Sequence, residues 1–133
     1  MSKTIDVESD ILSKIATATG GATHPEPVKE EQAGEYPFAF PLNPAWTGEA
    51  IEWGQVENTR SHPFLILWKK SETSRDTWIG HVEAIALAVR LDTTLGGLVD
   101  RAWVSELSTE EVDDEEVVSA LLIVSATHVE GDS

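Results

Sequence analysis

The chain contains no cysteine. Disulfides, thiolate metal sites and a cysteine nucleophile are thereby excluded, and the redox compartment is left open. Basic side chains are scarce: nine Lys and Arg stand against 24 Asp and Glu, giving a net charge of −15 over 133 residues. Adhesion to a phosphate backbone or an anionic lipid surface is driven by Lys and Arg displacing counterions, so this chain should avoid DNA rather than hold it. No run of about 18 apolar residues occurs, which removes a membrane-spanning helix from consideration. The first ten residues are polar and acidic where a signal peptide would be basic and then apolar. The expectation is a protein made and used without export.

Recognisable chemistry is equally scarce. His24, His62, His81 and His128 are dispersed, with no His-x-x-x-His or Glu-x-x-His pair, so no metal site is expected from spacing. Asp113-Asp114-Glu115-Glu116 lacks the alternating ligands and central glycine of a calcium loop. No Gly-x-Ser-x-Gly elbow is present. Leu95-Gly96-Gly97-Leu98 has neither the spacing nor the lysine of a phosphate loop. No catalytic residue and no cofactor is expected, and the reading is of a non-enzymatic protein.

A length of 133 residues with 41% hydrophobic and 25% charged side chains fits one domain over 1–133. Ile11, Leu12, Ile15 and Ala18 share a helical face behind the acids Asp6, Glu8 and Asp10, and Gly20-Gly21 supplies a stop, so a helix is predicted over about 5–19. Residues 21–35 have the composition of an exposed loop. Phe38 and Phe40 alternate within Tyr36–Pro41, where flanking prolines allow only a short edge strand. Their aromatics belong either to the core or to a partner contact at an exposed edge. A turn is predicted at Asn43–Gly48, a strand at Ala50–Trp53, a connection at 54–62, and a strand at Pro63–Trp68 that is apolar on both faces. Such a strand is central in a sheet covered on both sides, or is covered on one side by a neighbouring subunit.

The strongest period follows: Trp78, Val82, Ile85 and Val89, widened by Ile79 and Ala86. A helix is predicted over about 73–91, capped by Thr73 with Asp76 three residues on, with Arg75, His81, Glu83 and Arg90 on its polar face. A tryptophan stripe at this spacing reads as core. A strand begins near Val99. Ser108–Glu116 holds six acids and no base, which reads as the acidic loop of a long hairpin. The closing strand covers about 117–129, and 130–133 is expected to fray. The fold class is α+β: a roughly four-stranded β-sheet with two helices packed on one face, plus an extended hairpin.

Between the second helix and the next strand lies Asp92-Thr93-Thr94-Leu95-Gly96-Gly97-Leu98-Val99. Asp92 can accept hydrogen bonds at the helix end, Leu95 can plug the core, and Gly96-Gly97 let the chain reverse. An N-terminal helix, the Pro37–Pro41 strand, the apolar Phe64–Trp68 strand, a helix ending at Leu91, and then Asp92, Thr94, Leu95, Gly96, Gly97 and Val99 resemble the tail terminator, or tail completion, proteins of tailed bacteriophages. The resemblance spans nearly the whole chain in element order, with the hinge as its one motif. It implies a structural virion protein assembled in the host cytoplasm, forming a homo-oligomeric ring, usually hexameric, on the head-proximal end of the tail tube. Such a ring caps the tube, stops its polymerisation and meets the head connector or head-closure protein. DNA passes through without specific binding, and an acidic wall would repel its phosphates.

Phe38, Phe40, Trp46 and Trp53 are the candidate ring or partner contacts, and Asp113, Asp114, Glu115 and Glu116 the candidate lumen acids. The segment Thr47–His62 is longer and more polar than the resemblance implies, and reads as a hairpin reaching a neighbour. The alternatives are another neck component, such as a head-closure or head–tail joining protein, and an acidic adaptor for a basic protein partner.

Overall fold

The computed structural model describes residues 3–28, 35–52, 55–111 and 116–131, with backbone alone at positions 3, 46–52, 55–56 and 129–131. Helix α1 runs Lys3–Thr19 and α2 runs Arg75–Leu91; the strands are β1 Ala22–Thr23, β2 Phe38–Pro41, β3 Ala45–Glu52, β4 Gln55–Lys69, β5 Arg101–Glu111 and β6 Val117–Gly131. The order across the sheet is β1-β2-β4-β6-β5, with β3 also on β4. All pairs are antiparallel except β1 with β2. The α+β expectation holds, with both helices on one face.

Two fifteen-residue strands, β4 and β6, form the spine, paired from Gln55↔Gly131 to Lys69↔Val117. The far edge of β4 is shared. β2 takes Phe64–Leu67, and β3 takes Gln55–Ser61. Pro41 and Pro44 explain the break between them, since neither can donate to a ladder. Leu42 bridges the gap by donating its N–H to the Pro63 carbonyl at 2.8 Å.

Residues 45–48 of the expected turn and 55–62 of the expected connection are therefore strand. Their polar residues alternate with other polar residues, so no period of two is visible, and it is the ladders to β4 and β6 that hold them extended. Likewise β5 continues through Ser108–Glu111, opposite Leu121 to Val118, where an acidic loop was expected to begin. Residues 130 and 131 close β6 rather than fray. Within the presumed loop 21–35, Ala22–Thr23 pairs with Phe38–Ala39. A Cβ on Gly21 would meet the Pro37 carbonyl oxygen at 2.2 Å, so only glycine lets these strands approach.

On the helix side, Val7, Ile11 and Ile15 of α1 and Trp78, Val82, Ile85 and Val89 of α2 pack on Phe64, Ile66, Trp68, Val118, Ala120, Leu122 and Val124. Each strand contributes alternate residues, as a pleated strand must. Burying a large aliphatic or aromatic side chain contributes roughly 1.5–3 kcal/mol, so this layer dominates the stability. Glu8 lies in the second turn of α1 and is buried, which raises its carboxyl above the usual range through loss of water. The cap of α2 is Ser74 rather than Thr73: its hydroxyl accepts from the Thr77 N–H at 3.3 Å, with Asp76 in the first turn. His81, expected on the polar face, is half-buried and its Nδ1 accepts the indole N–H of the fully buried Trp68 at 3.0 Å. Burial lowers its pKa.

Candidate functional site

The hinge joins four elements within eight residues. Asp92 caps α2, its backbone N–H reaching the Val89 carbonyl. Its Oδ1 accepts the Gly96 N–H at 3.0 Å, and its Oδ2 accepts from Lys14 Nζ of α1 at 2.9 Å. Lys14 also holds Asp10 at 2.6 Å, one helical turn back. The Gly96 N–H and then Lys14 hold the Asp92 carboxyl below its ordinary range. Desolvation pulls Lys14 down, but its hydrogen bonds to Asp10 and Asp92 and their charges outweigh it, leaving the ammonium above its ordinary pKa.

Leu95 is fully buried, at φ +49, and Gly96 and Gly97 follow at +70 and +92. Three consecutive left-handed residues turn the chain back, and a side chain at Gly97 would be strained by that dihedral even though the space around it is open. The Val99 N–H returns to the Thr94 carbonyl, the Ala102 N–H to the Thr93 carbonyl, and the Asp100 N–H to the Thr127 carbonyl of β6. The motif thus fixes where β5 starts and in which register it meets β6. Within the protomer, Asp92, Leu95, Gly96 and Gly97 hold this turn.

The other face of the sheet carries no helix among the described residues. Pro63, Leu65 and Leu67 of β4 and Leu121 and Ile123 of β6 lie there half-buried. Phe38 and Phe40, opposite Leu67 and Leu65, are 1% and 7% exposed and form their own cluster with Val28, Tyr36 and Leu42 around them. The core alternative for these two phenylalanines is the one realised inside the protomer. Beside them, Leu65, Leu121, Ser119, Ser108, Thr109 and Glu110 line a shallow depression of about 450 Å3.

Trp46 lies on β3, opposite Arg60, in a stretch described by backbone alone. Trp53 and the acids Asp113, Asp114 and Glu115 lie outside the described residues; Glu116 is exposed at the start of β6. Among the described residues, the hinge residues and the Phe38–Phe40 pair are the sequence-derived candidates brought together.

Sequence reasoning missed two groups. His62 is buried on β4, with neither ring nitrogen hydrogen-bonded among the described residues, and desolvation followed by the charge of Arg60 lowers its pKa to about 4. Only the extension of β4 beyond its apolar core, invisible to periodicity, places it inside. The second is a cavity of about 310 Å3 between α2 and β5, lined by Ala86, Arg90, Thr93, Arg101, Trp103 and Leu107 among others. No three metal-ligating side chains converge among the described residues.

No family model matches the chain, and no curated protein matches it. Among solved structures, a chain of "Virion of native gene transfer agent (GTA) particle" shares the fold with a TM-score of 0.55, at 13% identity, covering 88% of this chain and 84% of that one. At that identity the likeness is one of fold.

Proposed function

We propose that the chain is a structural protein of a phage-like particle, a tail terminator whose ring, most simply a hexamer, closes the head-proximal end of the tail tube. The single observation that carries this reading is the fold likeness to a virion chain over 88% of the present one, nearly end to end on both sides. The hinge supports it: Asp92, Leu95, Gly96 and Gly97, on which the resemblance rests, are the residues that set the start of β5. A sheet face that carries no helix among the described residues, with half-buried leucines, gives a ring surface to work with.

In this reading the ring has a structural role, with itself, the tail tube protein and the head-closure protein as partners, inside the virion. Phe38 and Phe40 pack within the protomer, so a contact there is made by the rim of their cluster, Tyr36, Leu42, Leu65 and Leu67. The acids Asp113 to Glu116 face the lumen, where DNA slides past like charge.

The test is assembly. Purified protein added to isolated tail tubes is expected to bind their head-proximal end and to block further growth from added tube protein, as seen by electron microscopy. Protein that remains monomeric at high concentration and also leaves tube growth unaffected overturns the proposal.

A further inference from the structure

The chain has nine basic side chains against 24 acids, and three of the described ones are held inside the protomer. Lys14 holds Asp10 and Asp92, Lys70 reaches Glu111 at 3.7 Å, and Arg60 is partly buried on β4. Arg90 and Arg101 come together at one place. Both are exposed, neither has a carboxylate partner among the described residues, and both line the one cavity between the end of α2 and the start of β5. The Arg101 guanidinium lies 5.2 Å from the centre of the Trp103 ring, which fixes its plane. Thr93 adds a hydroxyl, and Ala86, Ala102, Val104 and Leu107 make the floor apolar. Two guanidiniums, an indole and an apolar floor suit a carboxylate-bearing peptide segment, since guanidinium pairs with carboxylate in a planar fork.

The acids that match this patch lie on the same strand. Glu106 and Glu110 are exposed on β5, opposite Ile123 and Ser119. An extended strand rises about 3.3 Å per residue, which sets them roughly 16 and 30 Å from Arg101 along β5, beyond the reach of two side chains. Arg101 and these two acids therefore cannot satisfy each other in one protomer. They can do so between two. The outer edge of β5 is also unpaired among the described residues, so its backbone is open to an added strand.

We infer that the Arg90–Arg101–Trp103 cavity is a docking site for a second copy of this chain, filled by the acidic part of the neighbour's β5 around Glu106 and Glu110. The contact deepens the ring proposed above and rests on that reading for its closure, but not for its chemistry. Each copy offers the cationic cavity at one end of β5 and the acids toward the other, so the contact can repeat from copy to copy, as a ring requires.

The experiment is a charge-swap complementation with the full chain, read by analytical ultracentrifugation. One variant carries Arg90→Glu and Arg101→Glu, the other Glu106→Arg and Glu110→Arg; all four positions are exposed, and matching unfolding midpoints confirm that both fold. Wild type is expected to self-associate, each variant to lose at least tenfold in association constant, and an equimolar mixture to recover it, since each variant then meets its complement on both sides. A wild type that does not self-associate, a variant that associates like wild type, or a mixture that stays apart overturns the docking site. Capping of tail tubes by a variant that no longer self-associates in solution would overturn this contact while leaving the terminator reading intact. Recovery as a two-protomer particle that fails to cap would retain the contact and remove the ring.

Discussion

His62 is 1% exposed, its two nitrogens lack hydrogen-bond partners among the described residues, and its pKa is lowered to about 4 from 6.5. In the unfolded chain it takes up a proton as pH falls through 6.5, whereas the folded protein resists until about 4. Stability from this residue is therefore whole above pH 6.5 and declines as pH drops toward 4, by about 3 kcal/mol in all. Substituting Leu for His62 should flatten urea midpoints across that window and leave those at pH 8 nearly unchanged; an undiminished slope would assign the titration elsewhere. At the hinge, Gly97 sits at φ +92 with open space around it, so dihedral strain and not crowding sets the cost of a side chain. Gly97→Val should lose roughly 1–3 kcal/mol, and Gly97→Asn distinctly less, because asparagine tolerates the left-handed region. Equal losses in thermal unfolding would show that the dihedral is not the reason.

The helices are joined to each other and to the hinge through one ammonium. Lys14 of α1 holds Asp10 on its own helix and Asp92 at the end of α2. Asp92 remains about a third exposed, so screening limits the Lys14 pair to about 1 kcal/mol or less. The bond from the Gly96 N–H to Asp92 adds a comparable amount. Asp92 is held below 3.8 and Lys14 above 10.5. Their contribution is thus present between those ordinary values, and is lost as pH falls through the lowered carboxyl pKa or rises through the raised ammonium pKa. A double-mutant cycle of Lys14→Met and Asp92→Ala should give a coupling of several tenths of a kcal/mol at pH 7 that is lost as pH falls through the lowered Asp92 pKa. Strict additivity at pH 7 would mean that α1 is tied to the hinge by its apolar face alone.

For the whole molecule, a charge of −15 opposes association, so any ring must gather its few cations at the contacts and leave the acids facing water or DNA. If Asp113, Asp114, Glu115 and Glu116 line a lumen, replacing all four with Lys should slow DNA ejection from particles carrying the variant, with an effect that weakens as salt is raised. Ejection at the wild-type rate would remove these acids from the lumen and leave them as surface charge. Reversal of their sign also tests solubility, since the net charge would fall by more than half.

Both helices were legible because their apolar stripes recur near 3.6 residues, and β6 because its middle is apolar on both faces. The residues of the hinge could be assigned their parts from chemistry alone: an acceptor at the helix end, a leucine for the core, two glycines to turn. What periodicity could not reveal was the start of β3, the first half of β4 and the end of β5, where no apolar alternation distinguishes ladder from loop. Their state is decided by the neighbouring strand, which satisfies the backbone hydrogen bonds and leaves the side chains free to be polar. The same dependence on neighbours buries His62, seats the Trp68 indole on His81, and brings Arg90 and Arg101 to one cavity from either side of the turn. The amino-acid order by itself determined the amphipathic elements and the turn between them. Tertiary pairing alone decided which polar stretches became strands and which charges were left facing outward without a partner, because both depend on contacts between residues far apart in the chain.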